Sequence, residues 1–527
     1  MPKILVADKL SEAGLRVFTR HKEFEVRVEK GMSPEQLKAA IPEFDALVVR
    51  SSTKVTADVL AAANNLKVIG RGGIGVDNID VGAATLRGIV VMNTPQENAI
   101  AAAEHTISLM MALARKIPQA VASMKAGRWE KSKFIGSEVF NKTLGIIGVG
   151  NIGSIVAERA AGLGMRVIAY DPHIPPQTAS RRGIPLVSLD ELLARSDFVT
   201  IHVPLTEETR NIIDARALRK MAKGSMLVNC ARGGIVSEQD LYEALVSGHL
   251  GGAALDVFEH EPPGDIPLCK LENVLCTPHL GASTIEAQEN VAIAIAEQVS
   301  DFLLHGTMRN AVNVPSVSPE LLTRISPFLT LGEKLGRFLA QISDFAIEEV
   351  IIEYYGEVVE HGVSPITSSV LKGIFTLVLG NRINIISAPA IARERGVNVR
   401  EVTSRTTEDF VSLVGITARS GDKKNYAAGT IFGKKEVRIV RVNSFTIEAV
   451  PDGNILFIFN YDRPGVIGNI GTTLAKHKVN IATMYLGRDE AGGHAVSLWR
   501  IDSAISKETV DELASLPNII SVRQMEL

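Results

Sequence analysis

Three short segments carry residue types suited to moving a proton beside a bound carboxylate. Asn229-Cys230-Ala231-Arg232-Gly233-Gly234 puts Arg232 just past an apolar run, and Asp256-Val257-Phe258-Glu259-His260-Glu261-Pro262-Pro263 puts two glutamates past a second. Thr277-Pro278-His279-Leu280-Gly281-Ala282 puts His279 past a third. An arginine grips a carboxylate with two parallel hydrogen bonds, polarises an adjacent carbonyl and stays charged. A histidine gives or takes the proton of a developing alkoxide near neutral pH. A carboxylate beside it favours the imidazolium form. Arg232, Glu261 and His279 fit these roles, with Glu259 competing for that of Glu261. Together they suit interconversion of a 2-hydroxy acid and a 2-oxo acid by hydride transfer.

That chemistry needs a hydride acceptor, and the run Thr143-Leu144-Gly145-Ile146-Ile147-Gly148-Val149-Gly150-Asn151-Ile152-Gly153 describes its seat. An apolar strand enters three glycines spaced G-x-G-x-x-G, which open a helix through Val156, Ala157, Ala160 and Leu163. Gly148 allows the tight turn, Gly150 lets backbone approach a pyrophosphate, and Gly153 lets helix and strand pack closely. The helix N-terminus adds free N–H groups and partial positive charge. A second strand over 166–170 ends on Asp171, whose carboxylate accepts from ribose hydroxyls and disfavours a 2′-phosphate, so NAD is expected over NADP. Strand, turn, helix, strand and acid in register within a ~30-residue unit are far more specific than the glycines alone.

These residues need a parallel sheet that delivers them to one edge. Strands are expected at 198–202, 225–229, 252–256 and 274–277 with helices around 189–194, 214–221 and 238–247, which completes a doubly wound sheet with its site at the carboxyl ends. Ahead of it, 1–97 alternates strands at 3–7, 45–49, 67–69 and 89–92 with Ala-rich helices. Two of those strands end in arginines, within Val49-Arg50-Ser51-Ser52-Thr53 and Gly70-Arg71-Gly72-Gly73-Ile74-Gly75. Gly72 and Gly73 there are expected to offer an anion nest of backbone N–H groups. A helical pattern over 99–115 leads into the nucleotide unit, and another over 283–305 is expected to cross back to the first lobe.

Val312-Asn313-Val314-Pro315 marks a boundary, beyond which a mixed α/β region has a helix near 327–342 and a strand-rich stretch over 427–450. Pro451-Asp452-Gly453 marks the next. The remainder reads β-α-β-β-α-β, a ferredoxin-like unit, with strands at 455–461, 481–486, 494–501 and 519–524 and helices at 464–477 and 508–516.

Composition narrows the function classes. The 527 residues allow several cores, and a net charge of −3 gives no global attraction to nucleic acid or an anionic membrane. No apolar run approaches the ~20 residues of a membrane span, and the N-terminus reads as a strand rather than a signal peptide. The three cysteines, Cys230, Cys269 and Cys276, match no metal-binding spacing, so no metal and a reducing, cytoplasmic compartment are expected. Cys230 reads as a small buried side chain, and His105 and His202 as structural histidines.

Asn151-Ile152-Gly153, the 229–236 segment, Ala254-Leu255-Asp256-Val257-Phe258 and Pro278-His279-Leu280-Gly281-Ala282-Ser283-Thr284 resemble the D-isomer-specific 2-hydroxyacid dehydrogenases. More narrowly, the whole chain resembles their long-form branch that acts on D-3-phosphoglycerate. The resemblance implies NAD-dependent, reversible oxidation to 3-phosphohydroxypyruvate, the first step of phosphorylated L-serine biosynthesis, with Arg232, Glu261 and His279 catalytic. It places Gly148, Gly150, Asn151, Ile152, Gly153, Asp171, Cys230, Ala231, Arg232, Asp256, His279, Gly281 and Ala282 at NAD. It implies that Arg50, Ser51, Arg71, Gly72 and Gly73 hold the substrate's carboxylate and phosphate. The basic loop Arg128-Trp129-Glu130-Lys131-Ser132-Lys133 is a candidate for reaching a neighbouring subunit's phosphate site, with Trp129 packing at the interface.

The implied fold is a Rossmann-type NAD-binding domain (98–282) inserted in a flavodoxin-like substrate-binding domain (1–97 and 283–312). An α/β intervening domain (313–450) and a ferredoxin-like ACT domain (451–527) follow. In the ACT domain Asp462 and Asn480 would take L-serine, giving feedback inhibition in a homotetramer. Lys434, Lys435, Arg438 and Arg441 in the intervening domain form a candidate anion patch or a solvated strand face. Two rival readings are a reductase of an unphosphorylated 2-oxo acid and an NADH-sensing interaction protein.

Overall fold

The computed structural model describes residues 1–181, 183–314, 319–407, 409–433 and 435–527. Four sheets follow one another along the chain. The first holds β1 (Lys3–Val6), β2 (Glu25–Val28), β3 (Ala46–Val49), β4 (Val68–Arg71) and β5 (Val90–Met92) in the order β2-β1-β3-β4-β5. All its pairs are parallel, and the order is that of flavodoxin. Strand β2 escapes sequence reading because it is an edge strand, Glu-Val-Arg-Val, with three of its four residues exposed.

One face of this sheet is covered by the long helix Ile285–His305, far away in sequence. Its Ile295 and Val299 share a core with Ile4, Val6, Val68 and Val90. The approach is close: a Cβ on Gly70 would lie 2.7 Å from Val299, and one on Gly14 would lie 2.6 Å from the Ala292 carbonyl. The chain therefore returns to its first layer after completing the second.

The second sheet holds β6 (Thr143–Ile147), β7 (Arg166–Tyr170), β8 (Phe198–Ile201), β9 (Met226–Asn229), β10 (Gly252–Leu255) and β11 (Val274–Cys276). Its order is β11-β10-β9-β8-β6-β7, again all parallel. The chain passes from β6 to β7 on one side and then crosses to β8 on the other. The strand order therefore reverses at β6 and β8, and such sheets take ligands outside the carboxyl ends at that point.

The third sheet holds β12 (Glu349–Gly356), β13 (Asn398–Ser404), β14 (Ser412–Ser420), β15 (Lys423–Phe432), β16 (Glu436–Val442) and β17 (Phe445–Ala449). It runs β13-β12-β14-β15-β16-β17 under the helices Pro319–Ile342 and Ser364–Leu379. The first of those helices starts a full two turns before the expected 327, carrying Pro327 inside it. Its glycines explain the packing, since a Cβ on Gly336 would sit 2.2 Å from the Val370 carbonyl. Pro315 of the expected boundary lies outside the described residues.

The fourth sheet, β18 (Asn454–Tyr461), β19 (Ile481–Arg488), β20 (His494–Ile501) and β21 (Ile519–Glu526), is antiparallel in the order β19-β20-β18-β21. Helices Val466–Lys476 and Lys507–Ala514 complete the expected β-α-β-β-α-β unit. The turn at Gly453 separates the two sheets but not their cores. Phe445 and Ile447 pack in one cluster with Ile455, Phe457 and Leu498, and Phe338 meets Phe457 edge-on at 5.7 Å. Among the described residues no helix is long and apolar enough to cross a membrane, and no group of three or more His, Cys, Asp or Glu is placed to hold a metal ion.

Candidate active site

The glycine-rich turn is shaped for a pyrophosphate. Strand β6 is buried throughout. Gly148 then turns at φ 92°, where a Cβ would strike Val203 and the His202 carbonyl at 2.6 and 2.7 Å. A Cβ on Gly153 would lie 2.0 Å from the Gly148 carbonyl, so helix Asn151–Gly162 can dock only with glycine there. Gly150 differs: no atom lies within 4 Å of its missing Cβ, and it caps the helix without any side-chain hydrogen bond. Open space over uncapped N–H groups is what an anion at a helix N-terminus needs.

The side chains around that turn are held in place. Asn151 donates to the Pro95 carbonyl at 3.1 Å, linking the turn to the segment that leaves the first sheet. Ile152 packs into the core beneath. Asp171, at the end of β7, accepts from the N–H groups of Val149 and His173, each at 2.9 Å, which fixes its carboxylate beside the turn. Cys230 is buried, and burial pushes its thiol up to about 12. It is therefore a packing residue and a poor nucleophile. His202 is fully enclosed; burial pulls it down to about 3, so it is neutral, in contact with Thr200 Oγ1 at 3.0 Å.

The carboxyl ends of β9, β10 and β11 carry the second part of the site. His279 adopts φ 55°, a left-handed conformation that few non-glycine residues take, histidine being among those that accept it more readily. Its Nδ1 lies 2.8 Å from Glu261 Oε2, and Nε2 has no partner among the described residues. Glu261 also accepts from the Phe258 N–H at 3.2 Å. Burial pushes the Glu261 carboxyl up, but the hydrogen bond and charge of His279 outweigh it and hold it below its ordinary value. Glu259 does not compete: it accepts from the N–H of Glu238 at 3.2 Å, while Glu238 accepts from the Glu259 N–H at 2.6 Å.

Asp256 organises the loop that presents His279. Its carboxylate accepts from Thr277 Oγ1 at 2.6 Å and from the N–H groups of Leu280 and Gly281 at 2.7 and 2.8 Å. His105 Nε2 approaches it at 3.2 Å. Burial alone would raise this carboxyl, yet these donors hold it low, so it stays charged as an anchor. Ala282 continues the same turn, partly buried. His105 is thus the expected structural histidine, with a specific partner that spacing could not reveal.

The arginines lie close to one another. Arg232 donates to Asp77 at 2.9 Å and to the Ala231 carbonyl at 2.6 Å. A Cβ on Gly75 would lie 1.8 Å from its guanidinium, so that glycine makes its room. Arg71 is mostly buried; burial and the positive charges of Arg232 and Arg50 pull it down to about 10 against the pull of Asp77 and Asp8. Its Nε is buried with no hydrogen-bond partner among the described residues. Arg50 is fixed through its backbone, its N–H on Asp8 at 2.5 Å and its carbonyl on Asn78 at 2.7 Å. Ser51 stands exposed beside it. Three guanidiniums that repel one another, one with an orphaned N–H, form a site suited to a multiply charged anion.

The glycine nest expected beside Arg71 cannot use the Gly72 N–H. Gly72 spends its N–H on the Val49 carbonyl at 2.8 Å, extending the strand pairing, and Gly72 and Gly73 are both buried. Their function is spatial, since a Cβ on Gly73 would lie 1.7 Å from Arg71 Nη1. Asp77, Asp8 and Asn78 were not singled out from sequence. Asp77 and Asn78 follow the glycine run after Val76, and that proximity was the available signal.

Other expected features are paired within the chain. In the basic loop Arg128 and Lys133 both bind Glu130, at 3.1 and 2.6 Å, while Trp129 is 80% exposed. Asp462 accepts from Arg488 at 3.2 Å and from the Gly492 N–H at 3.3 Å; Asn480 donates to Asp502 at 2.8 Å. In the candidate anion patch of the third sheet, Arg438 pairs with Glu436 at 2.7 Å and Arg441 lies near Asp409 at 3.4 Å. Arg438 also lies over the Phe432 ring, so this is not a simple solvated face. Lys435 is exposed, and Lys434 lies outside the described residues.

Three family models match the chain. Residues 107–281 match the NAD-binding domain of D-isomer specific 2-hydroxyacid dehydrogenases, 324–443 the D-3-phosphoglycerate dehydrogenase intervening domain, and 454–518 the ACT domain. D-3-phosphoglycerate dehydrogenases of Archaeoglobus fulgidus and Methanocaldococcus jannaschii are 45% and 44% identical, each aligned over all of both chains. That of Bacillus subtilis is 38% identical, again over both full lengths. Among solved structures, D-lactate dehydrogenase from Aquifex aeolicus complexed with NAD and lactic acid aligns with 59% of this chain and all of its own. Its TM-score is 0.53 at 28% identity.

Proposed function

The chain belongs to the D-3-phosphoglycerate dehydrogenase family, and from that premise we propose that it interconverts D-3-phosphoglycerate and 3-phosphohydroxypyruvate in the cytoplasm. NAD is the cofactor, and the reaction opens phosphorylated L-serine biosynthesis. Bound NAD supplies the hydride acceptor. Its pyrophosphate would lie over Gly148, Gly150 and Gly153 at the N-terminus of helix Asn151–Gly162, with Asp171 at the adenosine ribose. Asn151, Ile152, Cys230, Ala231, Asp256, Gly281 and Ala282 would line the rest of the cleft.

The protein's own groups move the proton and hold the acid. In oxidation His279 Nε2 takes the C2 hydroxyl proton; in reduction the same atom returns it. Glu261, 2.8 Å from Nδ1, fixes the ring and stabilises the imidazolium. Arg232 grips the carboxylate and polarises the C2 oxygen, with Asp77 aiming its guanidinium. Arg50 and Arg71, supported by the 51–53 turn and the room left by Gly72 and Gly73, answer the remaining charge. The single observation that carries the substrate is this cluster of three mutually repelling guanidiniums, because a phosphorylated three-carbon acid brings about three negative charges.

Substrate would be held between a domain of residues 1–97 and 283–312 and the NAD-binding domain of 98–282. The 313–450 and 451–527 domains would carry regulation. L-serine would bind the ACT domain, its ammonium on Asp462 and its hydroxyl or carboxylate on Asn480. Both side chains already have partners within the chain, so a second subunit's contribution in a homotetramer is part of this reading.

The test follows NADH consumption with 3-phosphohydroxypyruvate, hydroxypyruvate and glyoxylate, each with and without L-serine. The phosphorylated acid should be preferred in kcat/KM, and L-serine should slow the reaction. Preference for either unphosphorylated acid would overturn the substrate; indifference to serine would remove the effector alone.

A further inference from the structure

We propose that Cys269 and Cys276 are a redox-active dithiol whose oxidation to a disulfide slows turnover by shifting the loop that carries His279. Cys269 lies in the short 3-10 turn Pro267–Lys270, and Cys276 is the last residue of β11. Their sulfurs are 3.1 Å apart, and both thiols are free. Cys276 is exposed, so small oxidants reach the pair, whereas Cys230 is buried and serves as an internal unreactive thiol. Thr277 and Pro278 alone separate Cys276 from His279.

The two sulfurs have different parts. Cys276 donates its S–H toward Cys269. Packing around its sulfur, together with the adjacent Cys269, raises the Cys276 thiol well above its ordinary value. With the Cys276 S–H engaged toward Cys269, the sulfur of Cys269 is the one left to attack hydrogen peroxide, releasing its own proton to solvent. The O–O bond breaks, Cys269 becomes a sulfenic acid, and the departing hydroxide takes a proton as water. Cys276 sulfur then attacks Cys269 sulfur; the S–O bond breaks, and hydroxide leaves with the Cys276 proton as a second water. Two thiols lose two electrons, and one peroxide becomes two waters.

Closing the pair draws the sulfurs to about 2.05 Å, roughly 1 Å nearer than they stand. The pull falls on the end of β11, whose next residue, Thr277, gives its N–H to the Leu255 carbonyl and its hydroxyl to Asp256 at 2.6 Å. Asp256 in turn holds the N–H groups of Leu280 and Gly281 around His279. A displacement of that size in a proton-transfer group lowers kcat by about tenfold or more.

The effect on turnover rests on the proposed role of His279; the chemistry of the pair does not. The test treats the full-length protein with hydrogen peroxide and reads intact mass, free thiols and NADH consumption in parallel. Wild type should lose two hydrogens and two of its thiols, with kcat down about tenfold and restored by dithiothreitol. Cys269→Ser and Cys276→Ser should each keep their untreated rate and resist reversible inactivation. An unchanged mass, a Cys269→Ser variant as sensitive as wild type, or a disulfide formed with kcat intact would each overturn the proposal.

Discussion

The arginine cluster beside the first two sheets and the effector candidates of the last two treat charge in opposite ways. At the mouth of the parallel sheets Arg50, Arg71 and Arg232 crowd one another, and His279 is held at a left-handed φ, with Arg71 Nε and His279 Nε2 unpartnered among the described residues. In the third and fourth sheets the groups considered for effectors are satisfied: Asp462 by Arg488, Asn480 by Asp502, Arg438 by Glu436. The difference teaches where this chain is ready to bind and where it must first rearrange or borrow from a second copy. Strain and orphaned donors mark a site prepared for its ligand; complete internal pairing marks one that has to be opened.

The sharpest way to break that contrast is to remove a group from the prepared site. His279→Ala should cut turnover of 3-phosphohydroxypyruvate by ~10²–10⁴-fold while NADH still binds, seen by its fluorescence. Arg71→Ala should lower kcat/KM for the phosphorylated acid by about a hundredfold, and for hydroxypyruvate far less. Equal losses on both acids would mean that Arg71 supports the fold rather than the phosphorylated substrate. Asp77→Asn, which leaves Arg232 present but unaimed, should cost about tenfold, mainly in KM.

In the satisfied half a change should act differently. Asp462→Ala should bring the ratio of rates with and without L-serine close to one, because the residue serves the response and not the reaction. A loss of uninhibited turnover as large as that of His279→Ala would erase the distinction between the two regions.

The smallest effect lies in acid stability. His202 is buried and titrates near 3 in the fold against an ordinary 6.5. The unfolded chain therefore binds the extra proton first, and stability falls as pH drops from about 6.5 toward 3. Chemical denaturation at pH 7 and 5 should show that loss, and His202→Asn should flatten it.

How much of this was legible in the residues depended on what each signal required. Gly148, Gly150 and Gly153 were readable because each glycine answers a separate steric demand, and the three missing Cβ atoms meet respectively a strand end, open space and a carbonyl. Arg232, Glu261 and His279 were readable as types at strand ends. The Glu261–His279 pairing was expected and is present at 2.8 Å, while the engagement of Glu259 with Glu238 that removes the competitor could be seen only in the fold. Asp77 and Asp8 were missed because a carboxylate that aims an arginine has no pattern of its own. Strand β2 was missed because an exposed edge loses its apolar alternation. Gly72 misled: its N–H belongs to the strand pairing, and only the backbone register shows that. The core shared across Gly453 was invisible for a related reason, since a turn signal reports chain direction and not burial.

A double-mutant cycle across Glu261 and His279 tests most directly whether the prepared site works as one proton-transfer unit. With kcat for 3-phosphohydroxypyruvate as the readout, Glu261→Gln and His279→Ala should each be severely slowed, and the double variant should be little slower than His279→Ala alone. Losses that simply multiply would show two groups acting independently and would contradict the account.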